Sequence, residues 1–123
     1  MNSTTFLFLL AGVLLNAAAQ LLLKAGVRPL GPLSVEAATL ASTIARVLGQ
    51  GPILLGLSCY VLSVGVWLVA LSRVDVSIAY PMLSLGYVVN AVAAYWLFGE
   101  ALGPLRCAGI ALILLGVFVV ARS

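Results

Sequence analysis

The chain has 123 residues, 64% of them hydrophobic and only 7% charged, whereas soluble domains carry about a quarter charged residues. Six basic and three acidic side chains cannot cover a water-soluble fold of this length, and the dispersal of the basic residues behind the net charge of +3 excludes the clustered footprint of a nucleic-acid binder. Two cysteines, no histidine and no CxxC spacing exclude a metal site or a disulfide framework; Cys59 and Cys107 lie in apolar runs and read as small, inert core residues.

What remains is an all-α membrane protein. A spanning helix needs roughly 20 apolar residues to cross about 30 Å of hydrocarbon, and four such runs are predicted, at 6–23, 53–71, 76–98 and 106–121, within one four-helix domain over 1–123. The first contains only Asn16 and Gln20 as strongly polar residues and closes at Lys24. It resembles a signal-peptide core followed by Ala17-Ala18-Ala19, but no Lys or Arg precedes it and apolar character continues through Leu21, Leu22 and Leu23, which predicts a retained helix. The segment 34–49 differs in character: Ser34 is its expected N-cap and Glu36 lies in its first turn. Leu40, Ile44, Val47 and Leu48 fall on one face, with Thr39, Thr43, Arg46 and Gln50 on the other. It is either a short helix lying in the membrane interface or an extension of the second span.

The second span is entered through Pro52, suited to a first helical turn. The third ends at Gly99-Glu100, a helix stop. The fourth is short; Arg106 and Arg122 can snorkel at its ends, or 102–105 can join it. With four spans both termini share a side. Lys24, Arg28, Arg46 and Arg106 in the first and third loops, against Arg73, Arg122 and the terminal amine, give a narrow preference for those loops inside, compatible with dual insertion.

Polar groups in hydrocarbon must find partners or a wet cavity, so their spacing is informative. Gly12, Asn16, Gln20 and Lys24 recur at i+4 as a stripe that serves either to bind a headgroup or to join helices by hydrogen bonds. In the third span Tyr80, Ser84, Tyr87 and Ala91 share a face, with Asn90 at its edge, and Pro81 with Gly86 forms a plausible kink and hinge. Gly56, Tyr60, Ser63 and Trp67 share a face of the second span, where the two aromatics wall a pocket or pack a core. Gly109, Ile113 and Gly116 line one edge of the fourth, as a dimer seam or an intrachain contact. No ionisable residue falls at mid-membrane depth, and no nucleophile–base set or phosphate-cradling loop is present, which argues against an enzyme and calls for no cofactor.

The stretch 74–85 (VDVSIAYPMLSL), with Gly99-Glu100 and then 109–117 (GIALILLGV), resembles the small multidrug resistance superfamily. Its core IAYPMLSL is most similar to the branch of small subunits that flip aminoarabinose-phosphoundecaprenol in Gram-negative envelopes. The likeness runs from about Leu71 to Arg122 and rests more loosely on Asn16, Gln20 and Leu23-Lys24 before that. It implies a dimer in the bacterial inner membrane, either of two copies or with a similar small subunit, surrounded by lipid and carrying a lipid-linked sugar. Asn16 then stands where drug exporters of the superfamily carry a membrane-embedded glutamate; an amide cannot exchange a proton, which favours the lipid-flipping branch. The first loop, 25–51, is longer than the turn usual in drug exporters.

The expectation is therefore a polar headgroup path of Asn16, Gln20, Tyr80, Ser84 and Tyr87, walled by Tyr60 and Trp67. Lys24 or Arg46 attracts the phosphate, bending at Pro81 and Gly86 alternates access, and the fourth span dimerises. The alternatives are an exporter of quaternary cations, relying on Asp75 or Glu100, and a non-transporting accessory subunit of a glycolipid-modifying complex.

Overall fold

In hydrocarbon a helix satisfies its own backbone, and helices then associate wherever small residues let backbones approach. The structure, a computed structural model describing residues 3–123, follows both rules. It is helical throughout its spans: α1 (Ser3–Val27), α2 (Leu40–Leu48), α3 (Gly51–Leu71), α4 (Val76–Leu83), α5 (Leu85–Phe98) and α6 (Pro104–Ala121), with a single 3-10 turn over Arg28–Leu30. Four stretches are long and apolar enough to cross a membrane: Ser3–Leu30, Gly51–Leu71, Val76–Phe98 and Pro104–Ala121.

The most extensive packing is between α1 and α3, and its register is written in small residues. On α1, Thr5, Gly12, Ala19 and Gly26 are buried at intervals of seven; on α3, Gly56, Ser63 and Ala70 repeat the same interval. A heptad of small residues on facing helices produces a close, left-handed seam. A methyl group at Gly56 would sit 3.1 Å from both the Ala19 carbonyl oxygen and Leu22 Cβ, and one at Gly26 would sit 2.5 Å from Ile53 Cγ1. One at Gly12 would sit 3.1 Å from the Trp67 ring, and the pairing of Gly12, Ala19 and Gly26 with Trp67, Gly56 and Ile53 in turn shows that the two helices run antiparallel. Where α1 begins and α3 ends, Leu9, Ala70 and Ala79 form a sealed cluster.

Four expectations need correction. The first span does not close at Lys24; α1 continues to Val27, because nothing before Pro29 removes a backbone donor. The amphipathic helix is shorter than 34–49: α2 begins at Leu40, and Ser34 caps no helix. Its hydroxyl instead lies 2.9 Å from that of Thr39 and accepts from the Glu36 N–H at 3.5 Å, a local side-chain turn that competes with helix. Cys107 is exposed rather than in the core.

The third span is two helices. Pro81 lies inside α4 and cannot donate to the Ser77 carbonyl, and the irregularity surfaces one turn later. The Ser84 N–H donates to the Pro81 carbonyl and the Tyr87 N–H to that of Ser84, both at 3.0 Å, in tight i→i+3 bonds. The two halves then follow different neighbours, α4 packing chiefly on α6 and α5 chiefly on α1. Gly99, at φ +68°, ends α5 with the Glu100 N–H returning to the Ala94 carbonyl, the left-handed stop that glycine alone adopts without strain.

Candidate functional site

A cleft of about 350 Å³ opens among α1, α3 and α4. Asn16 and Gly12 come from α1; Tyr60, Ser63 and Trp67 from α3; Tyr80 and Leu83 from α4. Asn16 is near the middle of the 28-residue first span, so its amide lies deep in the bilayer. The Ser63 hydroxyl is buried and donates to its own helix, to the Tyr60 carbonyl at 2.7 Å. Trp67 and Tyr80 meet edge to face, centroids 6.2 Å apart at 88°, and bridge α3 to α4 across the opening. Tyr60 and Tyr80 are 42% and 54% exposed, so the cleft is open sideways to lipid.

The i+4 stripe on α1 is divided between two sites. Each i+4 step turns a helix by about 40°, and by Gln20 the stripe has left α3 and faces α5. Gln20 and Lys24 line a second cleft of about 300 Å³, with Asn90, Ala91 and Phe98 from α5 and Glu100 just after it. Asn90 Oδ1 is buried there without a hydrogen-bond partner among the described residues. Lys24 also borders a third hollow with Arg28, Gly31 and Leu33. Arg28 clamps this end: its Nη2 donates to the Phe98 carbonyl at 3.4 Å, and its guanidinium sits 5.4 Å from the Phe98 ring centre. At the opposite end Arg73 lies 5.2 Å from the Phe8 ring centre.

Ser84 and Tyr87 line neither of the two clefts. The break at Ser84 interrupts the face they were to share with Tyr80, and Tyr87 is 59% exposed on α5. Arg46 is also remote, exposed on α2, whose packing is on α3. Gly86 is buried against Val13 of α1, with room for a methyl group at 3.6 Å. Gly109 and Ile113 line a groove between α5 and α6, and neither Gly109 nor Gly116 has an atom of another helix within 4 Å of where a Cβ would stand. The clustering of Asn90 and Glu100 with Lys24 was not anticipated, although Lys24 and Glu100 both flank helix ends on the same side of the four-span topology.

Four membrane-spanning helices around a part-polar cleft make a membrane protein of the kind that transporters are, and the chain matches the EamA-like transporter family over residues 2–122, to which it belongs. It is a multi-pass protein of a bacterial inner membrane. Among its relatives is a protein of Erwinia tasmaniensis described as "Probable 4-amino-4-deoxy-L-arabinose-phosphoundecaprenol flippase subunit ArnF", 40% identical over 116 residues, 93% of this chain and 91% of the relative. An ArnF of the same description from Aeromonas hydrophila is 39% identical over 117 residues, 94% of this chain and 78% of that one. An ArnE subunit of Pseudomonas savastanoi is 45% identical over 69 residues, 56% of this chain and 60% of the relative. No solved structure matches the chain.

Proposed function

We propose that the chain is one subunit of a small dimeric flippase that moves an undecaprenyl-phosphate sugar, or a lipid of that class, across the inner membrane by alternating access. The observation that carries this reading is the lateral cleft, which joins Asn16 and Tyr80 to aromatic walls at Tyr60 and Trp67. A lipid-linked headgroup needs a polar path beside a gap through which its chain stays in hydrocarbon, and a cleft open sideways at Tyr60 and Tyr80 supplies both. The relatives' descriptions as flippase subunits support the substrate class and a second small subunit as partner. The compact four-span plan and the paired glycines of α6 support placing the chain near the small multidrug resistance proteins.

Two clefts at different depths on α1 suit alternation. Asn16 and Gln20 are separated by about 6 Å along the helix axis, yet open toward α3 and α5 respectively. Flexing at the Pro81–Gly86 junction would swing α4, and with it the Tyr80–Trp67 contact, while α5 stays on α1. Ser84 acts in this hinge, and Tyr87 faces lipid or the partner subunit. Gly109, Ile113 and Gly116 form the dimer seam.

The test is flipping of labelled undecaprenyl-phosphate sugars by the purified protein in liposomes, alone and with a second small subunit. Wild-type transport that falls in Asn16→Ala and Tyr80→Phe, with the oligomer intact, supports the path. Absence of transport in both preparations would overturn it.

A further inference from the structure

Of the α-helices described, only α2 buries no residue. Leu40, Ile44 and Leu48, one turn apart along one edge, are 43%, 49% and 48% exposed, and the loop before α2 adds exposed Leu33 and Val35. Thr43 and Val47 are partly covered, and α2 packs chiefly on α3. Ser42 and Arg46 lie on the opposite face from Ile44, since two residues turn a helix by about 200°.

The level of α2 is fixed by its neighbours. Its last residue, Leu48, precedes the first residue of α3, Gly51, by three positions, which the chain spans in at most about 11 Å. The start of α3 is in turn level with the last turn of α1, where a Cβ at Gly26 would stand 3.1 Å from the Ile53 nitrogen. Gly26 lies between Lys24 and Arg28, and Arg28 reaches the Phe98 carbonyl at the end of α5. Just before Phe98, Tyr95 and Trp96 meet edge to face, with Trp96 77% exposed. Span ends, cations and an exposed aromatic pair at one level mark the headgroup boundary of a bilayer. Gln50, extended at φ −88° and ψ 124°, breaks α2 from α3, so α2 does not continue the axis of α3 out into water.

We propose that α2 lies in the plane of the membrane at this boundary, with Leu40, Ile44 and Leu48 among the upper acyl chains and Arg46 among the phosphates of anionic phospholipids. The occupant of the open edge is the leaflet itself, because the edge is continuous with the lipid boundary at which α3 enters. The charge matches: residues 24–50 carry Lys24, Arg28 and Arg46 against Glu36 alone. An apolar edge backed by a basic one is what holds a helix in an interface. The anchor pins the α1–α3 pair to one leaflet, and it stands whether or not the chain moves a lipid.

The experiment places a nitroxide label at Ile44→Cys or at Ser42→Cys in the full chain carrying Cys59→Ala and Cys107→Ala, in phosphatidylcholine vesicles with and without phosphatidylglycerol. Collisions with oxygen and with a water-soluble nickel chelate give the depth of each label. The label at position 44 should lie about 5–10 Å below the phosphates and the one at 42 at or above them. Equal exposure of both to the chelate means a helix in water, burial of both means a spanning extension, and shielding of position 44 from both reagents means a protein partner; each of these overturns the assignment. Spin-labelled phosphatidylglycerol should be enriched around the wild-type chain over spin-labelled phosphatidylcholine. Arg46→Gln should cut that enrichment by up to about fivefold, the scale of one arginine at a charged surface; an undiminished enrichment overturns the role of Arg46.

Discussion

Both α3 and α6 carry small residues seven positions apart, and the chain treats them oppositely. Gly56, Ser63 and Ala70 are buried against the matching heptad of α1. A Cβ added at Gly109 or Gly116 would meet no atom of another helix within 4 Å, and Val117 is the one α6 residue buried among those described. The share of the spanning window that is buried falls from 28% in the first span to 6% in the last. The same pattern is thus a seam completed within the chain in one place and a seam left open in the other. Lipid is as apolar as leucine and gives no reward for covering the open one; close van der Waals packing against another helix does.

The largest expected effect comes from breaking the closed seam. Gly56→Leu must push against a backbone carbonyl and two leucines, and should destabilise the fold by about 1–3 kcal/mol or more, read from thermal unfolding in detergent. The same change on the open seam should separate the two cases. Gly109→Leu with Gly116→Leu should leave unfolding within about 0.5 kcal/mol of wild type while sedimentation shows loss of the dimer; an equal loss of stability would show that α6 is packed within the subunit after all.

Within the folded subunit, Tyr80→Phe should slow lipid flipping about tenfold without changing the dimer, on the scale of one hydrogen bond lost to a headgroup. Pro81→Ala restores a backbone donor to the Ser77 carbonyl; initial flipping rates should fall as α4 and α5 become one stiffer helix, and amide hydrogen exchange at 84–87 should slow. The smallest effect is expected at Gly86→Ala, where a methyl group fits at 3.6 Å from Val13. Stability should stay within about 0.5 kcal/mol while the flipping rate drops modestly; a rate identical to wild type would place the hinge at Ser84 alone.

Much of the architecture was legible because it is local. Charge-free runs named the four spans, Pro52 and Gly99 named helix ends, and Pro81 announced an irregular third span. The heptads Thr5-Gly12-Ala19-Gly26 and Gly56-Ser63-Ala70 are also present in the sequence, as a signal carried at i+7 by small residues and distinct from the i+4 polar stripe. The polar path was only partly legible. Asn16, Tyr60, Trp67 and Tyr80 do meet, whereas Gln20 and Lys24 turn to another helix and Ser84 with Tyr87 is lost across the break.

By itself the sequence determined that the chain spans a bilayer four times and where its helices stop, since in hydrocarbon each helix must satisfy its own backbone and local residues decide where that fails. Tertiary structure alone decided which polar groups share a cleft. A stripe that drifts about 40° per step belongs to whichever neighbour the packing puts there, and Lys24 and Glu100 line one cleft only because α5 docks on α1.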